Sequence, residues 1–251
     1  MKYVKPEVAS EQAGLRLALT AHMPAPYSMS ARAVFDHHRV PYTAVEQVGA
    51  GDNEALLSWT GHRNAPVAVY NSEAARVGWL EILNLAERLG SGASLVPDDI
   101  DLRMQMMGMT SELIGENGWV WNMRLLMLGG GGAERAEKEA ARNPMYKDYG
   151  YSEDAKAIAL DKACQVLDRF AIFAQASKGE YLCGDRLSAI DIYWVFFSNL
   201  LKTLSHEDCP MPAGLRKSYE MTGGLLGEID PILIAQRDFI IKNHFTLPMV
   251  F

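Results

Sequence analysis

A segment rich in Gly, Ser, Pro and Asp, residues 90–101 (GSGASLVPDDID), separates two parts of the chain that have different hydrophobic patterns. Short apolar runs bounded by turn residues dominate the first part, whereas apolar residues at helical spacing dominate the second. A change of this kind marks a domain boundary, because linkers tolerate residues that interrupt regular structure. We therefore predict an α/β domain at residues 13–90, a linker at 91–101 and an all-helical domain at 102–251.

The pattern of the first part predicts strands and helices in the order β-α-β-α-β-(β)-α. Apolar runs that begin or end near Gly or Pro are typical of buried strands, and proline is tolerated at the head of such a strand. The predicted strands cover residues 15–21, 43–48 and 65–70, and the predicted helices cover residues 28–37, 56–60 and 79–89.

Helical spacing dominates the second part. Residues 102–128 are rich in Met and Trp, and residues 153–177 carry a stripe of Ala, Val, Leu and Phe on one predicted helix face. A last helix is predicted at residues 231–242, since proline favours the first turn of a helix. Residues 129–132 and 143–149 predict loops between these helices.

Ser188 and Asp191 fit a capping box that precedes an apolar run. In such a box each side chain hydrogen-bonds the backbone amide of the other residue, and both satisfy donors that a helix start leaves unpaired. Loss of such a cap costs roughly 0.5–2 kcal/mol of helix stability. We interpret both residues as structural.

Charge and composition limit the classes of partner. The net charge is −7 and Lys and Arg form no cluster, so the electrostatic footprint of nucleic-acid binding is missing. The first residues lack the apolar core of a secretory signal, and no apolar stretch is long enough to span a bilayer. Cys164, Cys183 and Cys209 are far apart and show no metal-ligand spacing. We expect a cytoplasmic protein with reduced cysteines and no metal, nucleic-acid or membrane partner.

Three segments resemble the soluble glutathione transferase superfamily. Residues 25–42 (APYSMSARAVFDHHRVPY) are similar to its strand-to-helix turn and first helix, and residues 62–71 (HRNAPVAVYN) are similar to its cis-proline segment. Residues 181–197 (YLCGDRLSAIDIYWVFF) are similar to the capping-box signature of its helical domain. The resemblance covers residues 15–244 and implies a thioredoxin-like domain followed by an all-helical domain, with a small-molecule cleft between them.

The resemblance further implies glutathione as co-substrate, a homodimer and a role in detoxification. In this family the residue before a Pro-Phe pair activates the glutathione sulfur, and Ala25 stands at that position here. Alanine has neither a hydroxyl nor a thiol that could stabilise a thiolate. Ser28 and Tyr27 are therefore the candidate catalytic residues, and helix-start amides are a further source of anion stabilisation. The alternatives are an N-cap role for Ser28 and a packing role for Tyr27.

A glutathione-binding stretch is implied after the second predicted strand. Ala65 and Pro66 match the cis-proline edge that faces glutathione, and Arg63 could pair with the glycine carboxylate of that ligand or remain solvated. The family's Glu-Ser pair, which holds the γ-glutamyl group, corresponds here to Val77 and Gly78. Valine cannot accept a hydrogen bond from an ammonium, so this chain must hold the group in another way.

Neighbouring residues offer two substitutes for the missing pair. The amides of Gly78 and Trp79 could meet a carboxylate at a helix N-terminus. Glu73 could bind the ammonium of the zwitterion and Arg76 its carboxylate. The alternative is that Glu73 and Arg76 are solvated turn charges.

The second-substrate pocket of the family lies against the first helix of the helical domain. Met107, Trp119 and Trp121 are the candidate lining residues, since thioether and indole side chains suit apolar and aromatic ligands. A Met-rich stripe is also typical of a core or a subunit interface. The resulting hypothesis is transfer of glutathione to a small apolar or aromatic electrophile; the alternatives are a non-catalytic ligand-binding member or a structural member of the superfamily.

Overall fold

A computed structural model describes residues 1–251, which form two compact units. The first unit contains Met1–Leu95 together with Pro248–Phe251, and the second contains Val96–Leu247. The last four residues, which the sequence analysis assigned to the helical domain, therefore belong to the first unit. The first residues of the chain, which the predicted domain left out, contribute a short helix and a backbone bridge between Val4 and Val45.

The first unit is a three-stranded sheet with helices. Its elements are α1 (Pro6–Ser10), β1 (Leu15–Thr20), α2 (Pro26–His37), β2 (Tyr42–Gln47), α3 (Glu54–Thr60), β3 (Val67–Tyr70) and α4 (Trp79–Leu89). The strand order is β2-β1-β3, with β1 parallel to β2 and antiparallel to β3. The central strand is buried from Leu15 to Leu19 because helices cover both faces of the sheet, as is usual for such strands.

The two faces of this sheet have separate cores. One core joins Ala18 and Val45 of the sheet to Ala9 of α1 and Leu56 of α3. Successive strand residues point to opposite faces, so Leu17 points to the other side of the sheet. Leu17 pairs with Ala44 on one side and with Ala68 on the other, which fixes the register of all three strands.

The second unit contains helices only. They are α5 (Ile100–Ile114), α6 (Trp119–Leu128), α7 (Ala133–Ala140), α8 (Met145–Asp148), α9 (Glu153–Ala176), α10 (Ala189–Phe197), α11 (Ala213–Gly223) and α12 (Ile232–His244). Every residue of α10 is buried. Its Trp194 ring lies 5.3 Å from the Phe170 ring and 6.1 Å from the Trp119 ring, measured between centroids. None of the helices has both the length and the apolar character needed to cross a bilayer.

The Met- and Trp-rich residues 102–128 are helical, as predicted, but they form two helices, because the chain breaks between α5 and α6. The amide of Gly115 still donates to Ser111, but Asn117 then adopts a left-handed conformation with φ 63°. Gly118 comes so close to the preceding turn that a Cβ there would lie 2.6 Å from the Glu112 carbonyl oxygen. Glycine and asparagine tolerate this geometry, so they end α5 and start a new helix.

The loop predicted at residues 129–132 is confirmed, whereas the loop predicted at residues 143–149 contains the short helix α8. Proline at position 144 precedes this helix and sets a backbone conformation that suits a helical turn. The Tyr146 side chain is buried, and its hydroxyl donates to the Leu128 carbonyl at 2.8 Å. Tertiary packing thus orders a segment whose composition is typical of a loop.

The predicted capping box at the start of α10 is confirmed. Oδ2 of Asp191 accepts from the amide of Ser188 at 2.9 Å and from its hydroxyl at 2.8 Å. Oδ1 accepts from the Leu182 amide at 2.8 Å and from the Gln236 side chain at 3.0 Å. Complete burial outweighs these four donors and raises the pKa of Asp191 to about 6.

Candidate functional site

Most of the site residues predicted for the first unit lie at the end of the sheet around Pro66. The Ala65–Pro66 peptide bond is cis, as predicted, and it directly precedes β3. Ala18 of β1 pairs with Val67, so the carboxyl end of β1 lies beside this proline. Both Ala65 and Pro66 are half-buried, which leaves part of this backbone edge accessible to a ligand.

The chain returns to the same edge after β3. The amide and carbonyl of Ala68 exchange hydrogen bonds of 2.9 Å with the backbone of Arg76. Gly78 follows as the N-cap of α4, and the half-buried Trp79 is the first residue of that helix. The structure therefore brings the cis-proline edge and the N-terminus of α4 together, as the site prediction requires.

The N-terminus of α4 is capped by Glu81, a residue that the sequence analysis missed. Its Oε2 atom accepts from the amides of Gly78 at 3.1 Å and Val77 at 3.2 Å. These two amide hydrogen bonds lower the pKa of Glu81, and the charges of Arg76 and His62 add to the effect. A glutamate three residues after the N-cap is the sequence signal of this arrangement. The Gly78 amide, predicted to meet a ligand carboxylate, is thus occupied by a carboxylate of the chain itself.

Glu73 and Arg76 belong to an ion-pair cluster that contains a second arginine, Arg88. The Arg88 guanidinium lies 2.6 Å and 2.8 Å from the two Glu73 carboxylate oxygens, and the Arg76 guanidinium lies 3.2 Å from one of them. The hydrogen bond from Arg88 is the main reason that the pKa of Glu73 is lowered. Glu73 is therefore already paired with two cations of the chain.

Helix α2 does not begin as it would if Ser28 were its N-cap, which was the alternative role considered for this residue. Ala25 is the N-cap and has no side chain that could accept a hydrogen bond, and the helix begins at Pro26. Ser28 is thus the third helical residue, so the N-cap interpretation is wrong. The reason is that proline prefers the first helical position, where its missing N–H costs nothing.

The Ser28 hydroxyl points into the unit and is 3% exposed. It accepts from the Thr20 amide at 3.0 Å and lies 3.3 Å from the Thr20 hydroxyl, to which it can donate. Thr20 in turn donates to the Gln47 side chain at 2.9 Å, and Gln47 donates to the Arg63 carbonyl at 3.3 Å. These four residues form a chain of hydrogen bonds from α2 to the loop before Pro66.

This chain of hydrogen bonds fixes the position of the α2 N-terminus. The first amides of a helix have no carbonyl partner inside the helix, and no side chain of the N-cap residue covers them here. They carry the positive end of the helix dipole and so favour an anion. Tyr27 lies in this first turn and is half-buried.

The predicted substrate-pocket residues lie in the second unit in three different environments. Trp119 is completely buried against Trp194, so it is a core residue rather than a pocket residue. Trp121 is half-buried and its ring lies 4.7 Å from that of Tyr149. Met107 is half-buried on α5. The structure therefore does not bring the three residues together as one lining.

Comparisons with solved structures identify the fold. A glutathione transferase from Methylobacillus flagellatus with bound glutathione aligns with this chain with a TM-score of 0.64 at 14% identity. The alignment covers 92% of this chain and 96% of the transferase. A beta-etherase from Sphingobium aligns over the same shares with a TM-score of 0.62 at 17% identity. A glutathione transferase family member from Pseudomonas fluorescens with two bound glutathione molecules covers 92% of this chain and 89% of its own, with a TM-score of 0.58 at 12% identity.

Sequence comparisons add nothing to this result. No family model matches the chain, and no curated protein is a significant match. The structural similarity nevertheless extends over almost the whole length of both chains. The fold predicted from the sequence is confirmed: this chain has the fold of the glutathione transferases, with a thioredoxin-like unit and an all-helical unit.

Proposed function

We propose that the chain binds glutathione in its first unit and transfers it to a small apolar or aromatic electrophile. The observation that carries this proposal is the similarity, over nearly the full chain, to transferase structures that contain glutathione. The accessible cis-proline edge and the neighbouring α4 N-terminus support it, because they supply backbone groups and a carboxylate at one end of the sheet.

Glu81 is our candidate for the group that holds the ligand's ammonium. Both amide hydrogen bonds of its carboxylate fall on Oε2, so Oε1 has no hydrogen-bond partner among the described residues. A carboxylate can accept about four hydrogen bonds, and charge-assisted bonds to an ammonium are among the strong ones. Glu81 would thus replace the glutamate that Val77 and Gly78 cannot provide, whereas Glu73 is paired with arginines.

The α2 N-terminus is our candidate for stabilising the glutathione thiolate. Its uncapped amides and the helix dipole favour an anionic sulfur. The Ser28 hydroxyl could act on the sulfur only by breaking its hydrogen bond with Thr20. This would leave the buried Thr20 amide without an acceptor, at a cost of about 1–3 kcal/mol. We therefore propose a thiol that is activated by backbone dipoles, with Tyr27 packing beside it.

A non-catalytic, ligand-binding role is the alternative, and two observations favour it. Ala25 offers no hydroxyl or thiol, and the hydroxyl of Ser28 is buried and hydrogen-bonded. A site of this kind could retain glutathione or another ligand without lowering the pKa of a thiol. The two functions differ in one measurable property, which is the ionisation of the bound sulfur.

The pH dependence of thiolate absorbance in the ultraviolet tests the proposal. With the protein in excess over glutathione, a transferase would show a bound thiol pKa clearly below that of free glutathione, together with turnover of a chloronitrobenzene. Ser28→Ala should leave the pKa of the bound thiol unchanged if the backbone activates it. Binding without a lowered pKa would establish the ligand-binding alternative, and the absence of binding at several millimolar glutathione would overturn both.

The homodimer, the role in detoxification and the cytoplasmic location remain proposals that rest on the family resemblance. Light scattering during size-exclusion chromatography distinguishes a mass near 27.8 kDa from twice that value. A monomer at micromolar concentration would contradict the dimer.

A further inference from the structure

Arg16 lies on the central strand β1 and is buried, with 3% of its surface exposed. Arginine is almost never fully buried unless its charge is paired, because desolvation of the guanidinium is costly. No carboxylate pairs with Arg16, and its Nε atom has no hydrogen-bond partner. The guanidinium donates instead to two backbone carbonyls, that of Gln12 and, at 2.7 Å, that of Asn71. An apolar side chain would fill this core position without the desolvation cost, so we looked for a role beyond packing.

The Arg16 side chain joins three segments that are distant in the sequence. Gln12 belongs to the segment between α1 and β1, and Asn71 directly follows β3. The guanidinium carbon also lies over the ring of Trp59 on α3, 5.4 Å from its centre. The attraction between a cation and an indole face grows when both are removed from water. Arg16 therefore ties helix α3 to the end of strand β3.

Helix α3 and strand β3 flank the loop at residues 61–66, which carries Arg63 and the cis bond of Pro66. At the α3 end of the loop, the Thr60 hydroxyl accepts from the His62 amide at 3.1 Å. In its middle, the Gln47 side chain donates to the Arg63 carbonyl at 3.3 Å. Because the loop is short, a shift of α3 relative to β3 would move the edge at which we propose that glutathione binds.

Helix α3 depends on other parts of the chain for its order. It has seven residues, and an isolated helix of that length is not stable in water. Leu56 is its one buried residue, and it shares a core with Ala9 of α1. The segment before β1 thus supports α3 twice, through the packing of Ala9 and through the Gln12 carbonyl that holds Arg16 under Trp59.

We propose that Arg16 is a positioning residue of the 61–66 loop: by holding α3 against the end of β3, it keeps the loop in the conformation that binds glutathione. This inference rests on the proposed function. It concerns affinity rather than thiol chemistry, since no hydrogen bond of Arg16 reaches the α2 N-terminus. If the loop holds its binding conformation for only part of the time, the apparent affinity falls by that fraction.

Arg16→Met tests the inference, because it removes the cation and its donors but keeps an unbranched side chain in the core. If the competent fraction falls to about one tenth, the dissociation constant of glutathione in titration calorimetry rises about tenfold. The pKa of the bound thiol at saturating glutathione should not change. Arg16→Lys keeps a cation without the guanidinium fork and should bind within about threefold of wild type. Unchanged affinity in Arg16→Met, or a bound thiol pKa that rises with the dissociation constant, would overturn the inference.

Arg237→Met is the matched control in the second unit. Arg237 is 4% exposed and donates to the Lys202 carbonyl at 2.6 Å, so its removal also takes a buried guanidinium from a backbone acceptor. Thermal unfolding should show a loss of stability, whereas the affinity for glutathione should remain that of the wild type. An equal loss of affinity in both variants would show that destabilisation alone explains the effect, and it would contradict a positioning role.

Amide hydrogen exchange of the ligand-free protein separates this inference from the proposed function. In Arg16→Met, exchange should become about tenfold faster at residues 54–66 and should stay unchanged in α2 and α4. Unchanged exchange at residues 54–66, or an equal increase throughout the first unit, would overturn the inference. If the wild type binds no glutathione, the proposed function fails, and this exchange pattern alone decides whether Arg16 positions the loop.

Discussion

The N-termini of α10 and α4 are capped by the same chemistry in opposite surroundings. At α10, the Asp191 carboxylate is fully buried and accepts four hydrogen bonds through both oxygens. At α4, the Glu81 carboxylate is exposed and accepts two hydrogen bonds through one oxygen. Burial raises the pKa of Asp191, whereas the amides lower the pKa of Glu81. The comparison shows that burial decides whether a capping carboxylate serves only folding or is also open to a ligand.

The largest expected effect comes from Asp191→Ala. Truncation leaves buried donors of Leu182, Ser188 and Gln236 without an acceptor, and breaking such a buried network costs roughly 3–5 kcal/mol. Urea unfolding followed by circular dichroism measures the loss. Asp185→Ala, an exposed neighbour, is the matched control and should change stability by less than about 0.5 kcal/mol. Equal effects of the two variants would refute the structural role of the α10 cap.

The ionisation of Asp191 predicts a pH-dependent difference between the wild-type protein and Asp191→Asn. The folded pKa of about 6 exceeds the reference value of 3.8, so the folded state binds the proton more tightly between these values. The contribution of Asp191 to the free energy of unfolding should therefore fall as pH rises from 4 to 6, by on the order of 2–3 kcal/mol. Urea unfolding of both proteins at several pH values measures it. A constant difference between them would contradict the raised pKa.

Ser28→Ala extends the comparison of α10 and α4 to the N-terminus of α2. The variant removes the acceptor of the buried Thr20 amide, so we expect a stability loss of about 1–2 kcal/mol. The rate at which bound glutathione reacts with the electrophile should remain within about twofold of wild type, because backbone dipoles would activate the thiol. Thermal unfolding and single-turnover kinetics give the two values. A large loss of turnover at unchanged stability would instead make Ser28 the catalytic hydroxyl.

The smallest expected effect comes from Glu81→Gln at α4. The amide oxygen of Gln can still accept from Gly78 and Val77, so stability should fall by about 0.5 kcal/mol or less through loss of the charge at the helix dipole. Glu228→Gln, at an exposed acid that caps no helix, is the control. A loss comparable to that of Asp191→Ala would remove the distinction between the two caps.

Local patterns predicted the fold well where they were strong. Helix α4 begins and ends where its apolar spacing predicts, and the cap of α10 was visible in a short motif. The cis bond before β3 was expected only from the family resemblance of residues 62–71. The break between α5 and α6 was not predicted, because the Met-rich pattern continues across Gly115 and Gly118. Helical periodicity alone does not indicate where close contact between two backbone segments forces the chain to turn.

The candidate site was predicted less completely, because its chemistry depends on pairings between distant residues. The sequence placed Ser28 near the site but could not show that its hydroxyl binds Thr20. It placed Glu73 beside Arg76 but gave no sign that Arg88, in the last turn of α4, pairs with the same carboxylate. Glu81 was missed although its spacing from Gly78 fits a capping box, since glycine at the cap position weakens that signal.

Calorimetric titration of the wild-type protein and Glu81→Gln with glutathione tests the central claim most directly. We expect the wild type to bind with a dissociation constant in the micromolar to low-millimolar range, and the variant to bind about tenfold more weakly because the ligand ammonium loses its carboxylate partner. Equal affinity of the two proteins would exclude Glu81 from the site. No binding to the wild type at several millimolar glutathione would contradict the proposed function itself.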